Sequence, residues 1–247
     1  MFYPIKLQNT DQLITESAEK LLQYSKELAM MDKSACGISK QTRSAILATA
    51  IDIHAIISPL ITSWREEFRI ELESFQMTFQ NNANKLEKPK KDRSFDRQLF
   101  AASLKAFYYF IRSLHDTAYM ALSECLENNK PGKYSSMSKN CLKKGETSRV
   151  YKEVVSQLVR YEDWFKRTKR IRDNLKSGRI SGSVLRHTFE ETHYFLQFHK
   201  FIEKDDNSTE NKVDFEIGLK EVLEAINFSI SLIEAVKMRS PNHRDQL

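Results

Sequence analysis

The chain has little of what breaks helices or staples loops: six glycines and five prolines in 247 residues. Both residue types destabilise helix interiors, so their scarcity favours long helices over many tight-turned strands. There are three cysteines, Cys36, Cys125 and Cys141, widely spaced and odd in number. That argues against a disulfide framework or a four-cysteine zinc site and points to a reducing, cytoplasmic compartment. The opening MFYPIKLQNTDQL has no basic stretch followed by an apolar run, so no secretory leader is read. Long apolar runs are missing as well. The richest, Ala101–Leu122, is interrupted by Lys105, Arg112, His115 and Asp116, so no membrane partner is expected.

What is present suits a folded core. Hydrophobic residues make up 40% of the chain and charged residues 29%, too apolar a balance for disorder. The net charge of +6 is unevenly placed. The segment from Lys130 to Arg179 holds 15 Lys and Arg against 5 Asp and Glu, a local excess of +10, and the rest of the chain is net acidic. A field of that sign draws polyanions such as RNA or nucleotides, or an acidic protein face. A solvated basic surface is the competing explanation.

Apolar residues recur at steps of three and four over about 11–32, 41–84, 95–128 and 147–177, which predicts four helices. Pro59 predicts a kink or break in the second. Polar stretches at 81–93 and 129–146 read as connections, the latter long and exposed. After Gly178 the character changes. SVLRHTFEETHYFLQFHKFIE is rich in aromatic and branched residues, and Tyr194, Leu196, Phe198 and Ile202 share one parity. A β-hairpin of about 184–189 and 193–202 is expected, DDNSTEN reads as a turn, and Asp214 is expected to cap a last helix over 215–239. The predicted fold is all-α: one domain over residues 1–247, a bundle of five to six helices with a small β-hairpin, 184–202, before the last helix.

Two constellations carry the functional reading. Arg112, His115, Asp116 and Tyr119 stand at i, i+3, i+4 and i+7, so they share one helix face inside an apolar run. They line a polar cleft or form a structural Arg–Asp pair. The second is YEDWFKRTKRIRDNLKSG, Tyr161–Gly178, in which Arg172 sits beside the apolar stripe with Lys169, Asp173 and Lys176 around it. Tyrosine, Trp-Phe, basic residues, then Arg-Asp resembles the signature helix of HEPN-like proteins. The resemblance implies a helical scaffold, often dimeric, so a homodimer is expected. Active members are metal-independent RNases, many in bacterial defence, marked by an Arg, four to six intervening residues and then a His. Here Arg172 matches the arginine, and Ser177 stands at the position of the histidine. Serine has no group that titrates near neutral pH and cannot serve as the imidazole base.

Smaller features stand beside these. His187, His193 and His199, with Glu190 or Glu191, lack a convincing third ligand, so no metal and no cofactor are expected. Arg186 and His193 match the loose Arg…His pattern at a frequency expected by chance. The stretch PGKYSSMSK carries Lys133 and hydroxyls suited to a phosphate but not the spacing of a P-loop. Tyr134 and Tyr161 are candidates for stacking on bases. The sequence reading is thus a non-catalytic HEPN-like protein binding RNA, a nucleotide or a protein partner through Arg172, Lys169, Lys176, Arg112 and Lys133. The alternatives are an RNase that pairs Arg172 with His115 or Asp116, and a purely structural helical module.

Overall fold

A computed structural model describes residues 10–32, 36–81, 94–127, 149–154, 162–176, 180–187, 192–203 and 209–239. The helices are α1 (Thr10–Met30), α2 (Lys40–Asn81), α3 (Ser94–Glu127), α4 (Arg149–Glu153), α5 (Glu162–Lys176) and α6 (Leu219–Met238). Three strands, β1 (Ile180–His187), β2 (Thr192–Glu203) and β3 (Thr209–Ile217), precede α6. The helical bundle with a β element before its last helix is therefore as the periodicity indicates. The long connection read at 129–146 lies outside the described residues. So do residues 155–161, between the two stretches of the helix expected over 147–177.

The helices form because each presents one apolar stripe that water excludes. Along α1, Ile14, Ala18, Leu21 and Leu28 are buried at helical spacing. Along α2, Ile46, Ile53, Ile57, Leu60 and Trp64 do the same. Each fully buried Leu or Ile contributes roughly 1.5–3 kcal/mol over its exposed state. The helix runs through Pro59 without a break. Pro59 is exposed, so the missing amide leaves the Ala55 carbonyl facing water rather than sealed in the core. Over Lys40–Glu73, α2 is long and apolar enough to cross a membrane by length and composition, and a third of its apolar window is buried against the bundle.

Pairs of contacts between the helices fix their directions. Arg65 bonds Asp11 and Arg43 bonds the Ala29 carbonyl, so α1 and α2 run antiparallel. Trp64 meets Phe100 edge-on at 5.2 Å, while Glu124 reaches Ser39 and Thr42, so α2 and α3 also run antiparallel. The ion pairs Lys20–Glu234 and Glu27–Lys237 set α6 parallel to α1. Residues of all six helices and of the sheet join one apolar cluster, including Val150 and Val154, Ile171 and Leu175, and Tyr194, Leu196 and Ile217.

The sheet order is β1-β2-β3, all antiparallel. Tyr194 and Leu196 share a parity and turn inward, and Tyr194 stacks edge-on to Trp64 at 5.5 Å. A register shift between Phe198 and His199 interrupts the pairing of β2 with β3. Two expectations are corrected here. Thr209, Glu210 and Asn211, read as part of a turn, pair with Glu203, Ile202 and Phe201 in the third strand. Asp214 does not cap the last helix, because it lies inside β3, and the cap position falls to Gly218. The Gly218 amide donates to the Glu221 carboxylate at 2.7 Å. A Cβ at Gly218 would stand 2.9 Å from the Phe195 ring, so the close approach of sheet and helix requires glycine.

Candidate functional site

The row on α3 is drawn into the bundle. The Arg112 side chain is 4% exposed and its Nη2 lies 2.8 Å from Asp116 Oδ1, one turn along the same helix. This is the structural Arg–Asp pair that the spacing allows. His115 is fully buried, edge-on to Phe228 at 4.7 Å, with Nε2 3.0 Å from Ser229 Oγ. Ser229 Oγ also lies 2.9 Å from the Ala225 carbonyl, so the hydroxyl links the ring to the α6 backbone. Burial, and then the Arg112 charge, push the His115 pKa well below the ordinary histidine value. The ring is neutral and sealed from solvent. Its burial removes it from reach of a ribose hydroxyl, so the geometry makes His115 a core contact rather than a proton carrier. Tyr119 is buried too.

The helix α5 is organised the other way. Thr168, Ile171 and Leu175 are buried on one stripe, packed toward α3 and α6. The remaining surface is cationic: the helix carries six Lys and Arg against three Asp and Glu. Arg170 and Lys176 are exposed, and Lys169 is half-buried. Arg172 stands on the flank of the buried stripe with a third of its side chain in water. Its Nε and Nη2 both donate to Asp173 Oδ1, the Nε at 3.0 Å. Arg112 and Arg172 are therefore held by different carboxylates on different helices. Lys133, Tyr134, Tyr161 and Ser177 lie outside the described residues.

One member of the helix was not singled out by its sequence. Arg167 bridges to the start of α6, donating through Nη2 to Glu221 at 2.9 Å and to the Glu216 carbonyl at 3.2 Å. The same Glu221 caps Gly218, so one carboxylate ties α5, β3 and α6 together. Beneath it Tyr108 is fully buried, and burial, reinforced by the Glu221 charge, holds its hydroxyl proton on. A lone basic residue within a basic run gives no sequence signal that it is the structural one. Its partner is 54 positions away.

Comparison with protein-family models, curated proteins and solved structures finds no match. The site is thus read from its own chemistry.

Two further places hold groups capable of chemistry. Within the hairpin, Arg186 and His193 are direct register partners, and His187 pairs with Thr192. The side chains of His187, His193 and His199 lie outside the described residues, and among the described residues no three metal-ligating groups cluster. A cleft of about 540 Å³ opens along the seam of α1 and α2, floored by Ala18, Ile57 and Ile61. Glu19 and His54 also line it, and so do Asp11 and Arg65, whose ion pair measures 2.6 Å. It lies apart from the basic helix, on two elements that the charge pattern did not mark.

Proposed function

We propose that this chain is a non-catalytic HEPN-like protein that holds the phosphate backbone of RNA on the exposed face of α5. The observation that carries the reading is the division of that helix: Ile171 and Leu175 anchor it, while Lys169, Arg170, Arg172 and Lys176 remain at or near the surface. A rigid helix with its cations already positioned loses little entropy when it meets a polyanion. Arg172, oriented by Asp173, keeps part of its guanidinium fork in water for a phosphate oxygen. The burial of His115 and the serine at position 177 both argue against general acid–base chemistry at this helix.

The test is fluorescence anisotropy with a labelled single-stranded RNA. If three phosphates are neutralised, affinity falls about 20-fold between about 50 and about 200 mM salt. The triple substitution Lys169→Glu, Arg170→Glu, Lys176→Glu abolishes binding without unfolding the chain. No rise in anisotropy at low salt removes the RNA reading. RNA cleavage in chelator, lost on Arg172→Ala, replaces it with the nuclease reading.

A further inference from the structure

Cys36 and Cys125 are 89 positions apart, yet the fold brings them into contact. Cys125 Sγ donates to the Cys36 carbonyl oxygen at 3.2 Å, and Cys36 Sγ faces the Ile38 carbonyl at 3.7 Å. Neither sulfur is part of a disulfide. Their exposures differ: Cys36 is fully buried, and Cys125 is partly open to solvent. A carbonyl oxygen sits about 2.4 Å from its own Cα, given the standard bond lengths. Cys125 Sγ therefore lies no more than about 5.6 Å from the Cys36 Cα. The next residue, Gly37, has φ of 66°, a left-handed conformation open to glycine and strained for most other residues.

The surroundings bind these two segments together. The Glu124 carboxylate accepts from the Ser39 amide at 2.7 Å and from the Thr42 hydroxyl at 2.6 Å. The C-terminal end of α3 is thereby fastened to the start of α2, one residue before Cys125 and three after Cys36. Neither thiol has a part in the anion-binding reading.

We propose that Cys125 is a site of oxidation by hydroperoxides and that Cys36 is its resolving thiol. The exposed partner reacts first. The Cys125 thiolate attacks one peroxide oxygen, the O–O bond breaks, and a sulfenic acid forms as the other oxygen leaves and takes up a proton as water. The Cys36 sulfur then attacks the Cys125 sulfur, the S–O bond breaks, and a second water departs. Two thiols and one hydrogen peroxide give one disulfide and two waters, and the two electrons pass from sulfur to peroxide. The product locks the α1–α2 connection to α3, closing a loop that contains all of α2. Such a reversible link suits a compartment that otherwise keeps thiols reduced.

The experiment is peptide mapping of the full chain by mass spectrometry without reduction, before and after a small molar excess of hydrogen peroxide. The expected product is a Cys36–Cys125 cross-linked peptide lacking two hydrogens, formed equally in Cys141→Ser and reversed by dithiothreitol. In Cys36→Ala, Cys125 stops at a sulfenic acid that dimedone traps. The oxidised parent melts roughly 5–10 °C higher, as expected for a long closed loop. Because the parent chain alone shows the link, a poorly folding Cys36 variant does not blunt the test. Cys125 left as a thiol, joined to Cys141 instead, or oxidised to the sulfinic acid while Cys36 stays free would each overturn the proposal.

Discussion

The rows on α3 and α5 use nearly the same alphabet and end in opposite environments. On α3, Arg112 and Asp116 pair one turn apart, and the helix buries them with His115. On α5, Arg172 pairs with the adjacent Asp173, and Arg170, Asp173 and Lys176 stay exposed. The difference comes from the neighbours. The α3 row is flanked by Ile111, Leu114 and Ala118, all buried, so the helix is apolar nearly all round and is taken into the core. The stripe of α5 is narrow, so only one side is covered. A charged residue on a helix is read by what surrounds it, since an Arg–Asp pair costs more to desolvate the deeper it lies.

This contrast can be broken by mutation. The largest effect is expected at Arg112→Met, which leaves the Asp116 carboxylate without its cation at a mostly buried site and costs about 3 kcal/mol in urea denaturation. The matching change on the other row, Arg172→Met, costs under about 1 kcal/mol, because that pair is largely solvated. Equal losses at the two positions would erase the distinction. Next comes Gly218→Ala. The added methyl meets the Phe195 ring and lowers stability by about 1–3 kcal/mol, read as a lower Tm.

Acid provides a third test. Folded His115 resists protonation, while the unfolded chain takes a proton near pH 6.5. The unfolded state therefore binds more protons below about pH 6.5. Stability is fully present above that pH and declines below it by up to about 1.4 kcal/mol per pH unit, until the folded ring protonates as well. The parent should lose Tm steeply between pH 6.5 and 5, and His115→Gln, which keeps a hydrogen-bonding group toward Ser229, should lose it less steeply. Identical slopes would mean that another group governs the acid limb. The smallest change in stability belongs to Lys169→Glu, within about 0.5 kcal/mol. Its effect is on the salt slope of RNA binding, which it should lower by roughly one.

Much of the helical frame was legible because burial imposes a period on the sequence. Ile14, Leu21 and Leu28 on α1, and Ile226, Ile230 and Ile233 on α6, are buried as their spacing requires. Leu13 belongs to the same apolar pattern and is nonetheless 47% exposed, since a one-residue rotation about the axis turns it outward. The third strand was hidden by its composition. After its first threonine TENKVDFEI runs through Glu, Asn and Lys, residues of low strand preference, and what makes it a strand is the ladder offered by β2, a long-range partner that no local window contains. Charged residues on an edge strand also discourage pairing with other chains, so the feature that disguised it has a physical use. The polar face on α3 was visible as a pattern, but its depth was not, because four residues at helical spacing look alike whether they face water or Phe228 and Ser229. The Arg167–Glu221 bridge was invisible for the same reason as the strand: its two ends are 54 positions apart.

A single residue separates Ile217, the end of the sheet, from Leu219, the start of α6. That leaves no slack. A strand coupled to a rod through one stiff joint behaves as a crank: displacing the outer strand twists the rod. The rod here touches α1, α3 and α5, so whatever grips the sheet edge also has a mechanical hold on the three helices around it.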